Sequence, residues 1–132
     1  MAFHYIVKFI CGKEQHTDTQ VVASGMYYTA INVHSSVDAK IQKRISIALP
    51  SEKPGPVSKS FAASLKASEA FEIDNQDIYS HTNNTTPTFL KGFVEMVCDT
   101  RLDVVAVYTV EGLSKPNELT ALHIERIPPQ DA

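Results

Sequence analysis

Apolar residues in this chain recur at every second position, and two stretches do so almost without exception. Between Ala39 and Leu49, Ile41, Ile45, Ile47 and Leu49 share one parity, while Lys40, Gln42, Arg44 and Ser46 take the other. Lys43 is the single residue out of pattern. Leu90, Val94, Met96 and Cys98 repeat the arrangement against Lys91, Glu95 and Asp99. Side chains of an extended strand point alternately to two faces, so this spacing buries one face and wets the other. No helical period is sustained over two or more turns with caps at both ends, and alternation takes its place.

Leu102 to Val110 breaks the rule in an informative way. Leu102, Val104, Ala106, Tyr108 and Val110 fill one face, and Val105 and Val107 fill the centre of the other. A strand apolar on both sides is either covered twice or meets another subunit with its outer face. Asp99, Thr100 and Arg101 separate it from the preceding strand and predict a tight antiparallel hairpin. Weaker strands are predicted at Phe3–Cys11, Met26–Val33, Glu69–Asp74 and Ala121–Ile127. Gly92 marks a bulge or a close backbone approach. Lys59–Ala70 is the one helix candidate, with Phe61 and Leu65 one turn apart. Pro50–Pro56 reads as a stiff loop, Asn75–Thr88 as a long polar loop, Ser114–Asn117 as a turn, and Pro128-Pro129 as the end of the last strand. The expectation is an all-β fold, an antiparallel β-sandwich of about seven to eight strands, in a single domain over residues 1–132.

Composition narrows the function classes. A net charge of −3 argues against a nucleic-acid binder working through a strong basic field, and 43% hydrophobic residues argue against disorder. No apolar run approaches the roughly 18–20 residues that span a bilayer, so no membrane insertion is expected. Nothing at the start reads as a signal peptide, which suggests a cytoplasmic protein. Cys11 and Cys98 then read as free buried thiols. A disulfide between them requires neighbouring strands, which sequence leaves open.

Enzyme signatures are missing from the sequence. It has no Gly-rich phosphate loop, no Gly-x-Ser-x-Gly elbow, no Cys-x-x-Cys and no His-x-His. No catalytic residue, metal ligand or cofactor is therefore assigned. Asn32 and His34 stand at strand spacing and share a face. His81 lies in the long polar loop with Asp74, Asp77 and Tyr79, and loops on a rigid sandwich commonly carry binding. These six residues, Asn32, His34, Asp74, Asp77, Tyr79 and His81, form the candidate ligand-binding set. Val105 and Val107, joined by Tyr27, form the candidate interface between subunits. Tyr27 and Tyr28 are adjacent in a strand, so one faces the core and the other faces out.

Several segments taken in order carry a resemblance. They are Tyr28–His34, Ile45–Pro50 with Pro54–Ser58, Glu69–Asp74, and Phe89–Val94 leading to Leu102–Thr109. Over roughly residues 26–110 the chain resembles a family of small bacterial β-sandwich proteins of unassigned function. More distantly it is similar to the soluble transducer that partners a microbial sensory rhodopsin. The resemblance implies a sandwich that self-associates, as a tetramer in the transducer, and binds a small ligand or a protein partner. No rhodopsin-contacting residue carries over.

The reading that results is a non-enzymatic, homo-oligomeric interaction or small-ligand-binding module. One alternative is a carbohydrate-binding module using Tyr27 or Tyr28 with Tyr79 as stacking faces. Another is a small metal-assisted enzyme, which requires two or more of His34, His81, His123, Asp74 and Asp77 to converge in one cleft.

Overall fold

The computed structural model describes residues 2–15, 22–113 and 119–130. Alternating burial follows the parity of the sequence: β3 (Ala39–Ala48) buries Ile41, Lys43, Ile45 and Ile47 and leaves Lys40, Gln42 and Arg44 in water. The other elements are β1 (Phe3–Glu14), β2 (Gly25–His34), β4 (Pro54–Val57), β5 (Phe61–Leu65), β6 (Ala70–Ile73), α1 (Asn75–Thr82), β7 (Leu90–Cys98), β8 (Asp103–Glu111) and β9 (Leu119–Ile127).

The strands form one antiparallel path in the order β4-β3-β7-β1-β2-β8-β9, with β5 also on β3 and β6 also on β2. β1 joins the two halves. Its residues from Phe3 to Cys11 pair with β7, and Gly12 to Glu14 pair with β2. Inward side chains of both halves meet in one core: Tyr5, Val7 and Phe9 from β1, Ile41 and Ile45 from β3, Val94 and Met96 from β7, Ile31 and Val33 from β2, and Val104 and Ala106 from β8. Each of the Val, Ile, Phe and Met side chains among them, taken fully out of water, contributes about 1.5–3 kcal/mol before entropy is set against it. No helix among the described residues is long and apolar enough to cross a membrane.

The all-β expectation is met, with nine strands among the described residues where about seven to eight were expected. The additional strands are short. Lys59–Ala70, the helix candidate, instead forms β5 and a turn into β6, because pairing with β3 overrides the local helix propensity of its alanines. The proline loop supplies β4, an edge strand where a residue without an N–H is tolerated. The expected hairpin between β7 and β8 does not form. β7 pairs with β3 and β1, β8 pairs with β2 and β9, and Asp99–Arg101 carries the chain from one half to the other. The buried Tyr5 hydroxyl fixes that crossing: it donates to the Leu102 carbonyl at 3.1 Å and accepts from the Leu102 N–H at 2.7 Å. The predicted turn at Ser114–Asn117 lies outside the described residues.

The long polar loop begins with a helix. Asp74 is its N-cap, and its carboxylate accepts from the Asp77 N–H while the Asp77 carboxylate accepts from the Asp74 N–H. The first helical residue completes a neighbour's ladder. β2 pairs with β1 up to Tyr27 and with β6 from Ile31, which leaves a gap on that edge. The Asn75 side chain fills it, accepting from the Thr29 N–H at 3.0 Å and donating to the Tyr27 carbonyl at 2.9 Å.

Gly92 is a close approach rather than a bulge. Its register with Phe9 and Ile47 is unbroken, and a Cβ there would lie 1.9 Å from the Ser46 carbonyl oxygen and 2.8 Å from the Phe9 ring. Both cysteines are free and buried. Cys11 faces Leu90 while Cys98 faces Phe3, eight positions away along β1. That separation is about 26 Å and excludes a disulfide between them.

Candidate functional site

Two strands pairing with β8 extend its outer face into a surface of three strands. The register aligns His34 with Asp103, then Asn32 with Val105 and Arg126, then Ala30 with Val107 and Ile124, then Tyr28 with Thr109 and Leu122. Residues directly opposite in a ladder point to the same side, so each row presents its side chains together. The centre of this surface is apolar and uncovered. Ile124 is 59% exposed, Leu122 54% and Tyr28 39%, and Val105 and Val107 are half-buried. The Tyr28 hydroxyl donates to Glu111 at 2.9 Å at the far end.

The outer face of the other half differs. Phe93 and Val97 are exposed there, but the Lys8 ammonium stands 4.9 Å from the Phe93 ring centre, and Arg44 pairs with Glu95 at 2.7 Å. Charge interrupts that face in the Ile6–Glu95–Arg44, Lys8–Phe93–Ser46 and Ile10–Lys91 rows, and His4 and Gln42 flank Val97 in the next. The apolar run on β2, β8 and β9 is continuous.

At the polar end of the apolar surface lies a cleft of about 680 Å³. His34 and Ser36 after β2, Arg101 and Asp103 before and in β8, and Arg126 in β9 bring polar groups to it. Leu102, Ile127, Pro128 and Pro129 supply its apolar wall. Arg126 pairs with Asp103. The proline segment is anchored where the Gln130 N–H donates to the His4 carbonyl at 2.7 Å.

The candidate ligand set therefore divides. His34 lines the cleft, and Asn32 stands one row away on the same face. Asp74 and Asp77 belong to the capping box of α1. Tyr79 is buried and donates to the Thr88 carbonyl at 2.8 Å, beside Cys11, and burial raises its pKa above the ordinary tyrosine range. His81 stacks on Phe61 with ring centres 3.6 Å apart. Of the five residues of the metal-site alternative, Asp74, Asp77 and His81 lie together at α1, and His34 and His123 lie elsewhere. His123 stands on β9 beside Tyr108 and Glu125, away from His34 in the cleft and from His81 on α1. No group of three or more His, Cys, Asp or Glu side chains among the described residues could hold a metal ion.

Of the interface candidates, Val105 and Val107 face outward on β8. Tyr27 does not join them. Its ring is buried, edge-on to Phe89, and its hydroxyl donates to the Ala23 carbonyl. Tyr28 is the outward member of the pair. Leu122 and Ile124, the apolar residues of the predicted Ala121–Ile127 strand, lie on the exposed side of β9. Parity reveals which residues share a face and leaves open which face is covered.

Lys43 explains its own break in the pattern. It points inward and is 9% exposed, with its ammonium 4.8 Å from the Phe61 ring centre and 4.7 Å from that of Phe71. The rings attract the cation through their negative faces. Burial lowers the Lys43 pKa, and the Asp77 carboxylate opposes that shift. Burial also lowers the His81 pKa, with the Lys43 charge adding to the effect and Asp77 resisting it.

No family model and no curated protein matches the chain. Among solved structures, the crystal structure of Thermotoga maritima 1070 is similar, with a TM-score of 0.54 at 9% sequence identity. The match covers 95% of this chain and 91% of that one. At that identity the likeness is one of fold.

Proposed function

We propose that this chain is a non-enzymatic binding module that self-associates through the outer face of β2, β8 and β9. The observation that carries the reading is the continuous run of Tyr28, Ala30, Val105, Val107, Leu122 and Ile124, apolar and open on a face where the opposite half interleaves charge. Burying such a face between copies removes apolar area from water in both, and an isologous contact needs only one patch. The resemblance to the rhodopsin transducer points to four copies and to a role in relaying a signal between partners. Two free buried thiols suit a reducing, cytoplasmic setting.

Sedimentation velocity tests the association. The native chain is expected to sediment as a multiple of 14.6 kDa at high micromolar concentration. Ile124→Glu places a charge at the centre of the face and should return the chain to a monomer, and Val97→Glu on the other outer face should not. A strictly monomeric native chain refutes the reading.

A carbohydrate-binding role has one observation in its favour. A second cleft of about 590 Å³ between β5 and α1 combines the hydroxyls of Ser58, Ser60, Ser80 and Thr82 with the stacked His81 and Phe61 rings. Glycan-array binding lost on His81→Ala would support it.

A further inference from the structure

We propose that the cleft at the ends of β2, β8 and β9 binds a small organic monocarboxylate carrying an apolar body. This deepens the binding-module reading by naming a ligand class, and it does not depend on self-association.

Charge supports the anion. Two guanidinium groups, Arg101 and Arg126, and one carboxylate, Asp103, line the cleft, so these three groups carry one net positive charge within a chain of net charge −3. One surplus cation matches a monoanion. A phosphate dianion beside Asp103 would be left partly uncompensated. Donor availability supports the same assignment. Asp103 already engages Arg126, whereas Arg101 makes no hydrogen bond or ion pair with another described residue. The side chains of His34 and Ser36 are also without a protein partner among the described residues. A planar guanidinium with unused N–H groups is suited to a carboxylate, which it can hold through two parallel hydrogen bonds.

Shape supports the apolar body. Leu102, Ile127, Pro128 and Pro129 form the wall, and the volume falls in the range of small-ligand sites and far exceeds what a bare carboxylate fills. The walls are held before any ligand arrives. Tyr5 grips Leu102 through both backbone groups, and the Gln130 N–H ties the proline segment to β1. Rigid walls reduce the ordering cost of binding.

Phenylbutyrate and its neutral isostere phenylbutyramide, followed by calorimetry and by amide chemical-shift perturbation, provide the test. Phenylbutyrate is expected to bind one-to-one and to move the amides of Ser36, Arg101, Leu102 and Ile127. The amide isostere should bind at least tenfold more weakly. Arg101→Gln should weaken phenylbutyrate at least tenfold with an unchanged melting temperature, since Arg101 holds nothing else in place. Equal affinity for acid and amide, perturbations elsewhere, or binding of inorganic phosphate alone would each overturn the proposal. Repeating the titration on Ile124→Glu separates the two readings. Binding that survives in this variant supports the cleft whatever the state of association. No binding to either chain overturns the cleft and leaves the association to stand or fall by sedimentation.

Discussion

Tyr5→Phe removes one oxygen atom and is expected to be among the costliest conservative changes in the molecule. The Tyr5 side chain is fully buried, and its hydroxyl is both acceptor for the Leu102 N–H and donor to the Leu102 carbonyl, 97 positions away. Phenylalanine fills the same space and leaves two buried backbone groups without partners. Each such group costs about 1–3 kcal/mol, so the variant should lose about 3 kcal/mol. A domain has about 5–15 kcal/mol in total, so this is a large share. With a urea slope near 1.5 kcal/mol/M, the midpoint should fall by about 2 M at unchanged slope, and the melting temperature by about 10 °C. Tyr108→Phe serves as a matched control. Its hydroxyl donates to the Lys8 carbonyl at 2.6 Å in a more exposed setting, so its loss should cost about 1 kcal/mol. Equal losses for the two variants, or a loss below about 1 kcal/mol for Tyr5→Phe, would show that Leu102 is not held as argued.

Two further outcomes follow from buried polar contacts. Asn75→Ala should cost about 2–4 kcal/mol in urea unfolding, because the Thr29 N–H and the Tyr27 carbonyl lose the side chain that bridges the gap in β2. Burial pushes the Cys11 thiol up from about 9 to about 11, with a hydrogen bond to Tyr79 opposing. The folded chain thus retains a proton that the unfolded chain releases, and stability should fall as pH rises from about 9 towards about 11. Urea midpoints measured across that range should decline less steeply for Cys11→Ala, and native Cys11 should resist thiol reagents at pH 8.

The strands that carry the core were legible because parity alone specifies them. Ile41, Ile45 and Ile47 were read on one face from spacing and lie buried on one face. What spacing could not convey was pairing. The run from Asp99 to Arg101 has the length and polarity of a hairpin turn, yet a turn that crosses between halves has the same composition. The helix α1 went unread because only Ile78 and Tyr79 are buried, too few to establish a period, and because its cap uses Asp77 where the familiar signal has Glu or Gln. The capping box itself was present as Asp74-x-x-Asp77. The cleft was legible only through His34. Arg101, Asp103 and Arg126 come from a crossing, a strand start and a strand end, and they meet through register, which sequence does not display. Lys43 was the one clear anomaly, and its explanation lay in two phenylalanines on strands that had not been paired with it.

The two ends of the strand path are built differently. At one end the border is broken into β4 and β5, four and five residues long, and β4 carries Pro54 and Pro56. At the other end β9 runs for nine residues with no proline. Prolines and short fragments block templating by a further strand, and a long unbroken border invites it. The inviting border and the greasy flank thus belong to the same strand. Under the proposed association, contact between copies would be confined to one side of the molecule, with the proline-bearing border left outward. An assembly joined in that way would close into a finite set rather than extend as a fibre.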